Sequence, residues 1–434
     1  MNTKIDIEPR DRYNLVYMIL FIAGIGTLLP WNFFITAIPY FQYQLGNTSS
    51  LEIEPSNLSN EQVLFGNYLT LCSMLPLSLT MIVNLFIMKY FSPFVRFTVG
   101  SSVITLMFIV TVVLIYAKLA ALNFLTATLI SAGLINIGSA LFQGSVFGIA
   151  STLPSRNMKA CVEGQAVAGV LASVAQIASI AASPHPKTSA FAYFLFALLF
   201  LVVATLMTCF LKSNAYFKYY WSKDKTPEIE ISQVSTNQLL EINGAGDVAV
   251  ARPNHLILAS LKDVWVQGFS VLFVLMFTLS LFPALLQPIK SMNYSTTDEW
   301  SSKYFTPVIV FLSYNCWDWI GRYLAGSIKW PRREQKWILF ICCVARVVFI
   351  PFALLMNQQP RHHLPVVFLH DAFPIILVIL LGLTNGYFLS LAMMYGPSFA
   401  RPGAAEGAGV ALAIYLAIGL SAGVALSAVL ALTL

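Results

Sequence analysis

The chain has 434 residues, of which 58% are hydrophobic and 10% are charged, and its formal net charge is +6. Soluble proteins carry about 25% charged residues, so the composition excludes an ordinary soluble protein and indicates many membrane spans. The lysines and arginines are scattered, which gives no sign of a nucleic-acid-binding surface. The six cysteines form no CxxC pair, so they do not indicate a metal site or a disulfide framework.

Apolar runs of about twenty residues, the length that crosses a bilayer, recur along the whole chain. They predict eleven transmembrane helices, at roughly 14–36, 66–88, 97–117, 122–150, 164–183, 189–211, 266–287, 305–327, 337–356, 372–395 and 407–432. The fifth run is the least hydrophobic and is rich in Ala, Gly and Ser. Small residues let helices approach closely, so we interpret this run as a packed interior helix.

The predicted spans fall into two groups, and together they indicate an all-α polytopic membrane protein. Residues 1–211 hold six spans, and residues 265–434 hold five. The polar segment 212–264 between them is interpreted as a flexible cytoplasmic linker. The first apolar run is full length and follows a charged N-terminus, so we interpret it as a signal anchor rather than a cleaved signal peptide.

Basic residues indicate the orientation. They collect on the side of the N-terminus, which predicts a cytoplasmic N-terminus and, with eleven spans, an extracellular C-terminus. The loop 37–65 is acidic and holds glycosylation sequons at Asn47 and Asn57, and a third sequon begins at Asn293. All three sequons fall on the predicted outer side, so these asparagines are candidates for glycosylation.

The first span contains a proline, a tryptophan and an asparagine at positions 30 to 32. Pro30 removes a backbone donor inside an apolar run, where no water can replace it. Polar chemistry at such depth is a hypothesis of function by default. We interpret Trp31 as a candidate stacking surface and Asn32 as a structural residue that bonds backbone groups freed by the proline.

The eighth span carries the sharpest polar cluster, which is Asn315, Asp318 and Arg322. Spacings of three and four residues place these side chains on one helix face, where the two charges can pair. A charge at mid-bilayer costs roughly 2.5–3.5 kcal/mol on insertion scales, so this face is expected to point into the bundle or a cavity. Two interpretations stay open at this point: a binding site for a ligand with hydroxyl groups, or a structural ion pair.

Other polar residues also fall inside spans. Gln143 in the fourth span could bond a ligand or an adjacent helix. Arg346 in the ninth span is expected to have a structural role, with a partner such as Glu406, which precedes the eleventh span. No GxxxxGK[ST] loop is present, so transport would be passive or coupled to an ion.

Several stretches resemble the equilibrative nucleoside transporter family, in the family's order. They are Gly24-Ile25-Gly26-Thr27-Leu28-Leu29-Pro30-Trp31-Asn32-Phe33-Phe34, Leu71-Cys72-Ser73-Met74-Leu75-Pro76, Gln143-Gly144-Ser145-Val146-Phe147-Gly148, Phe282-Pro283-Ala284, Asp318-Trp319-Ile320-Gly321-Arg322 and Asn385-Gly386-Tyr387. The resemblance covers essentially all spans but not the linker or the outer loops.

The resemblance implies a fold similar to the major facilitator type with one span missing, and a central cavity that binds nucleosides during alternating access. It implies that Gln143 contacts the base and that Asp318 and Arg322 contact the ribose. The substrate-binding residues that it implies are Leu28, Trp31, Met74, Leu77 and Gln143 from the first bundle and Phe282, Phe311, Asn315, Asp318, Arg322 and Leu420 from the second. It also implies a plasma-membrane protein that requires no cofactor and no obligate protein partner.

The leading hypothesis is sodium-independent facilitated diffusion of purine and pyrimidine nucleosides such as adenosine and uridine, with nucleobases as further candidates. A first alternative is a proton-coupled transporter of nucleosides or another small solute, with Asp318 as the proton carrier. Arg322 argues against it, because a carboxylate paired with a guanidinium stays ionised. A second alternative, a receptor or membrane enzyme, is disfavoured by the small loops and the lack of a catalytic constellation.

Overall fold

The computed structural model describes residues 9–46, 60–117, 119–182, 186–223, 259–295, 297–359 and 364–432. Secondary structure in these ranges is helical, and the extended pairings are two isolated bridges, Ile289 with Gln358 and Met356 with Phe368. The all-α prediction is therefore confirmed for the described part of the chain. The sequons at Asn47 and Asn57 and most of the linker lie outside the described residues.

The described residues of the first half of the chain form a bundle of helices. Its helices are α1 (Leu15–Thr36), α2 (Ile38–Leu45), α3 (Asn60–Ile87), α4 (Pro93–Tyr116), α5 (Ala121–Ser151), α6 (Ser155–Ala182) and α7 (Pro186–Phe210). Helix α1 continues through Pro30 without a break.

Helix α2 lies where the sequence predicted only an outer loop, from residue 37. The ring of Phe41 explains its position, since its centroid lies 5.1 Å from that of Phe65 and 6.1 Å from that of Phe194. Burial of this aromatic cluster stabilises a short helix that its own sequence would not hold in isolation. Hydrophobic periodicity gave no signal here because the segment is only two turns long.

Helix α6 begins at Ser155, well before the predicted start at residue 164. The polar first turns stay helical because Lys159 and Glu163 form an ion pair at 3.2 Å across one turn. Tyr17 of α1 donates its hydroxyl to the same Glu163 carboxylate. A polar sequence is therefore compatible with this packed position, because its charged groups bond to each other and to α1.

The second half forms a similar bundle. Its helices are α8 (Trp265–Leu281), α9 (Ser313–Ile328), α10 (Lys336–Ala345), α11 (Phe349–Leu354), α12 (Ala372–Tyr395) and α13 (Ala405–Ala431). Two segments with π-helical bonding, Trp300–Tyr304 and Thr306–Leu312, precede α9. A 3-10 turn, Arg346–Val348, joins α10 to α11.

Nine helical segments within the described ranges are long and apolar enough to cross a membrane. The predicted seventh and eighth spans are not among them. Helix α8 has 17 residues and ends at the Phe282-Pro283 step. Helix α9 has 16 residues and carries Asp318 and Arg322, which lower its hydropathy.

The two bundles meet where helix α13 packs against α3 and α5 and where α9 and α12 pack against α6. Within the first bundle α1 packs on α6 and α4 on α5, and within the second bundle α9 packs on α12 and α8 on α13. The polar face of α9 therefore lies at the boundary between the bundles.

Helices α1 and α6 are in direct backbone contact. A Cβ atom at Gly24 would lie 2.1 Å from the carbonyl oxygen of Cys161, and one at Gly164 would lie 2.0 Å from that of Phe21. Only glycine allows an approach this close. This contact agrees with the interpretation of the fifth apolar run as a packed interior helix.

We expect Gly24→Ala to destabilise the protein by about 1–3 kcal/mol, because its methyl group would overlap a backbone carbonyl that cannot move aside. The measurement is the melting temperature of the purified protein in detergent. Gly66→Ala is the matched control, since its nearest neighbouring atom would be the Ile38 Cδ1 at 3.9 Å. Equal melting temperatures for the two variants would contradict the close packing of α1 on α6.

Candidate functional site

A cavity of about 130 Å³ lies between the two bundles. One buried water needs roughly 10–15 Å³ on the same measure, so the cavity has room for a small organic solute. Most of the residues that the family resemblance implied for a binding site line it, namely Leu28, Trp31, Gln143, Phe282, Phe311, Asn315, Asp318, Arg322 and Leu420. Asn32, which the sequence predicted as a structural residue, lines it as well. Spans far apart in the sequence therefore converge on one site.

The charged pair in α9 forms the polar centre of the cavity wall. Asp318 and Arg322 are 3% and 4% exposed. The Nε and Nη2 atoms of Arg322 both lie 2.8 Å from the Oδ2 of Asp318. Both nitrogens face one carboxylate oxygen, so the two charges compensate each other away from water. The predicted pairing of these two residues is confirmed.

Arg322 also contacts the other bundle. Its Nη1 donates to the backbone carbonyl of Val162 in α6 at 2.6 Å. Asn315, one turn away in α9, donates its Nδ2 to the hydroxyl of Ser173 in α6 at 3.0 Å. Both bonds cross the boundary between the bundles, so the polar face of α9 holds the bundles together as well as lining the cavity.

The wall formed by the first bundle has an unsatisfied donor. Gln143 is 2% exposed, and its Nε2 has no hydrogen-bond partner. A buried amide without a partner is costly unless a ligand or water satisfies it. Nearby on α1, Asn32 donates its Nδ2 to the carbonyl of Leu28 at 3.0 Å. The carbonyl that Pro30 leaves without its helical donor is that of Gly26, four residues before the proline, so this bond does not replace the lost one.

Apolar and aromatic groups complete the cavity. Trp31 is partly exposed and lies on the first wall. On the second wall the ring of Phe282 stacks on Tyr314 at 4.0 Å, and Phe311 meets Phe282 edge to face at 5.4 Å. Because Tyr314 already covers one face of Phe282, Trp31 is the better candidate for stacking with a planar ligand.

Met74 and Leu77 do not line the cavity. Both are nearly fully buried in α3, with 4% and 5% of their surface exposed. Ser421 of α13 donates to the carbonyl of Met74 at 3.3 Å, and Ser78 lies 2.7 Å from the hydroxyl of Ser421. This part of α3 packs against α13, and its residues therefore lie outside the cavity.

The structure adds residues that spacing within one helix did not reveal. Asn385 of α12 donates its Nδ2 to the Oδ1 of Asp318 at 2.6 Å. Gln165 and Ser173 of α6 and Tyr314 of α9 also line the cavity. For Asn385 the sequence held one signal, the Asn385-Gly386-Tyr387 stretch, which resembles a family motif. That motif does not indicate that Asn385 bonds to Asp318.

Arg346 bonds to α8 and α12 rather than to a carboxylate. It donates to the carbonyls of Val274 and Leu381 at 2.6 and 3.0 Å and to the hydroxyls of Thr278 and Thr384 at 2.8 and 3.1 Å. The prediction that Glu406 is the partner of Arg346 is therefore wrong. The pattern of bonds agrees with a structural role for Arg346, since it ties α8 to α12.

Glu406 pairs with Arg96 instead, because α13 begins beside the first turn of α4. The Nη2 of Arg96 bonds to Glu406, and its Nη1 donates to Asn84 in α3 at 2.9 Å. Arg96 is 3% exposed. This second buried ion pair, unlike the one within α9, joins a helix of the first bundle to a helix of the second, away from the cavity.

Asn293, the third sequon, is exposed and lies in the loop that precedes the π-helical segments.

Among the described residues, no group of three or more His, Cys, Asp and Glu side chains could hold a metal ion. The polar side chains that line the cavity are one carboxylate, one guanidinium, five amides and the hydroxyls of Ser173 and Tyr314. This set suits a neutral solute that has hydroxyl groups and a planar ring with hydrogen-bonding atoms.

A family model described as "Nucleoside transporter" matches residues 129–432. The chain is 35% identical to human equilibrative nucleoside transporter 1 over 95% of this chain and 96% of that protein. It is 33% identical to rat equilibrative nucleoside transporter 2 over 96% of this chain and 97% of that protein. Similarity to these relatives thus extends over nearly the whole of both chains.

Solved structures of similar fold include transporters, one of them described as a member of the Major Facilitator Superfamily. The Major Facilitator Superfamily transporter FucP, in the outward conformation, aligns with a TM-score of 0.59 and 10% identity over 96% of each chain. A bacterial homologue of the iron transporter ferroportin aligns with a TM-score of 0.58 and 12% identity, over 96% of this chain and 92% of that chain. At such low identity the likeness concerns the fold, and it confirms the expected major-facilitator-like arrangement.

We expect Gln143→Met to leave the melting temperature unchanged or raised, because the glutamine Nε2 has no partner to lose. The matched variant is Gln165→Met, whose Nε2 donates to the hydroxyl of Thr27 at 3.0 Å. Its loss should cost about 1 kcal/mol. Thermal melts of both variants in detergent provide the measurement, and a clear drop for Gln143→Met would show that its amide bonds within the protein.

Proposed function

The chain belongs to the equilibrative nucleoside transporter family, and we propose that it carries purine and pyrimidine nucleosides across the plasma membrane by facilitated diffusion. Adenosine and uridine are the representative substrates, and nucleobases are further candidates. The family is one of transporters rather than enzymes. The printed names of the relatives support nucleosides as the substrate class.

The observation that carries this proposal is the buried Asp318–Arg322 pair on a cavity wall opposite Gln143. A nucleoside has a hydroxyl-bearing ribose and a planar base with donors and acceptors. The carboxylate can accept a ribose hydroxyl, and the guanidinium can donate to a sugar oxygen. The Nε2 of Gln143 has no protein partner and can donate to the base, while Trp31 offers an apolar face for stacking.

We further propose the predicted membrane topology. Eleven spans would be completed by α8 and by α9 with its π-helical extension, giving a bundle of six within 1–211 and one of five within 265–434. The N-terminus would be cytoplasmic and the C-terminus extracellular, with 212–264 as the cytoplasmic linker. The exposed position of Asn293 supports an accessible sequon on the outer side.

Alternating access is the proposed mechanism. The site lies between two bundles, and each bundle contributes one wall, so relative motion of the bundles would expose it to one side at a time. The bonds from Arg322 to Val162 and from Asn315 to Ser173 cross this boundary and would have to break and re-form in each cycle. A ligand that binds both states with similar affinity is released on either side.

Proton coupling through Asp318 is the less favoured alternative. The Nε of Arg322 donates to its Oδ2, and Asn385 donates to its Oδ1. Protonation of Asp318 would remove the counter-charge of Arg322 and leave a buried guanidinium without compensation. We therefore propose transport that needs no proton gradient, and we propose sodium independence on the family resemblance alone.

Purified protein in liposomes provides the test. We expect uptake of labelled uridine and adenosine down their gradients, with equal rates in sodium and potassium buffers and with no requirement for a pH gradient. Uptake that collapses when the pH gradient is removed would favour the proton-coupled alternative. Failure to move either nucleoside, in liposomes shown to contain folded protein, would overturn the proposed function.

We expect Asp318→Ala to abolish uridine uptake, because it removes the hydroxyl acceptor and leaves Arg322 buried without its counter-charge. The measurement is uptake normalised to the amount of protein at the cell surface. Asp371→Ala is the control, since Asp371 bonds to Ser291 and Met292 in a loop away from the cavity. Normal uptake by Asp318→Ala would contradict the assignment of this carboxylate to the ribose.

A further inference from the structure

Asn385 lines the cavity, but the proposed function gives it no role. It is 2% exposed, lies in α12, and donates its Nδ2 to the Oδ1 of Asp318 at 2.6 Å. An ionised carboxylate only accepts hydrogen bonds, so the amide must present its NH₂ group to Asp318. The Oδ1 of Asn385 then faces the hydroxyl of Thr278 at 2.7 Å.

Glycine residues make this short contact possible. A Cβ at Gly386 would lie 1.9 Å from the carbonyl oxygen of Asp318, and one at Gly321 would lie 2.2 Å from that of Leu383. Helices α9 and α12 therefore approach until their backbones touch. Such an approach fixes the distance between Asp318 and the adjacent Asn385 to within the reach of one hydrogen bond.

Thr278 and Arg346 hold the amide of Asn385 from the far side. Arg346 donates its Nη2 to the hydroxyl of Thr278 at 2.8 Å, and three further bonds fix its guanidinium between α8 and α12. The hydroxyl hydrogen of Thr278 is thereby directed toward its remaining acceptors, the carbonyl of Val274 and the Oδ1 of Asn385. A chain of bonds thus runs from Arg346 through Thr278 and Asn385 to Asp318.

The Asp318 carboxylate has about four lone-pair positions, two on each oxygen. The Nε of Arg322 donates to its Oδ2, with the Nη2 at 2.8 Å from the same oxygen, and Asn385 donates to its Oδ1. The second lone pair of Oδ1 therefore stays free, on a residue that lines the cavity. The direction of that lone pair depends on the contact with Asn385, because no other donor touches Oδ1 among the described residues.

We propose that Asn385 is a positioning residue: through its bond to Asp318, and held by Thr278 and Arg346, it aims the free lone pair of that carboxylate at a ribose hydroxyl. This inference rests on the proposed function. It assigns hydroxyl discrimination to a residue that contacts the carboxylate and acts through it. It also gives the buried Arg346 a role at the site, at the far end of the same chain of bonds.

The charged and titratable groups around this contact come from three elements. Arg322 and Tyr314 lie on the same helix as Asp318, and Arg346 interacts with it electrostatically from the turn between α10 and α11. Cys161 of α6 lies near Arg322. Thr278 and Asn385 themselves do not titrate, so a carboxylate introduced at 385 would be a new titrating neighbour of Asp318.

The first experiment compares uptake of uridine with that of 2′-deoxyuridine and 3′-deoxyuridine in liposomes. We expect wild-type protein to discriminate against at least one of the deoxy compounds, because the compound without the hydroxyl leaves the aimed lone pair unfilled. Asn385→Leu should lower uridine uptake roughly tenfold and leave uptake of that deoxy compound nearly unchanged, so that discrimination disappears. Asn136→Leu is the matched control, since Asn136 is a buried amide that donates to Ala132 within α5, outside the cavity.

A second variant gives a readout that a merely structural role would not change. In Asn385→Asp two carboxylates would face each other, and such a pair shares one proton. Uridine uptake by this variant should be low near neutral pH and should rise toward wild type as the pH falls, because the shared proton restores a donor to Asp318. Wild type and Asn136→Leu should show no such rise.

Each outcome bears on the inference separately from the proposed function. No uridine uptake by wild type would contradict the proposed function itself. Uptake without any discrimination between uridine and both deoxy compounds, or discrimination that survives in Asn385→Leu, would overturn the positioning role while nucleoside transport stands. If Asn385→Leu does not fold, Thr278→Val keeps the side-chain shape and removes the hydroxyl behind Asn385, and it should reduce discrimination in the same direction. A flat pH profile for Asn385→Asp would also overturn the inference.

Discussion

The buried ion pair between Asp318 and Arg322 is the interaction on which the arrangement of this protein depends. Two charges removed from water need complete compensation. The ion pair itself leaves some N–H donors of the guanidinium and some lone pairs of the carboxylate without a partner. Arg322 uses its third group on the carbonyl of Val162, and Asp318 takes a bond from Asn385. Helices α6, α9 and α12 are therefore held around one polar point, and the cavity lies beside it.

Backbone contact is the second constraint, and it explains the frequency of glycine in the interfaces. Hydrocarbon gives little hydrophobic driving force between helices, so close packing and hydrogen bonds must hold them. Gly24 and Gly164 bring α1 against α6, and Gly386 brings α12 against α9. The polar bonds of the site are short because these contacts set the distances between helices.

The fold class and the charged pair could be predicted from the sequence, because their signals are local. Hydropathy runs predicted most of the long helices but not α2, and a spacing of four residues placed Asp318 and Arg322 on one face. The apolar residues of the cavity, such as Phe282 and Leu420, were implied by the family resemblance. Partners from distant segments were not predictable: Asn385 on Asp318, Val162 on Arg322, and Arg96 rather than Arg346 on Glu406. Burial of Met74 against α13 likewise depends on packing between bundles, and a single sequence does not encode such pairings in any spacing.

The interlocked backbones of α1 with α6 and of α9 with α12 restrict how the cavity can change shape. Neither helix of such a pair can slide along its partner or rotate against it without a clash between backbone atoms. Each pair therefore moves as one stiff unit, and α5, α8 and α13 contribute to the rest of the cavity wall. The cavity then changes shape where the bundles meet, at the contacts of α6 with α9 and α12 and of α13 with α3 and α5, while the spacing within each glycine-packed pair stays fixed.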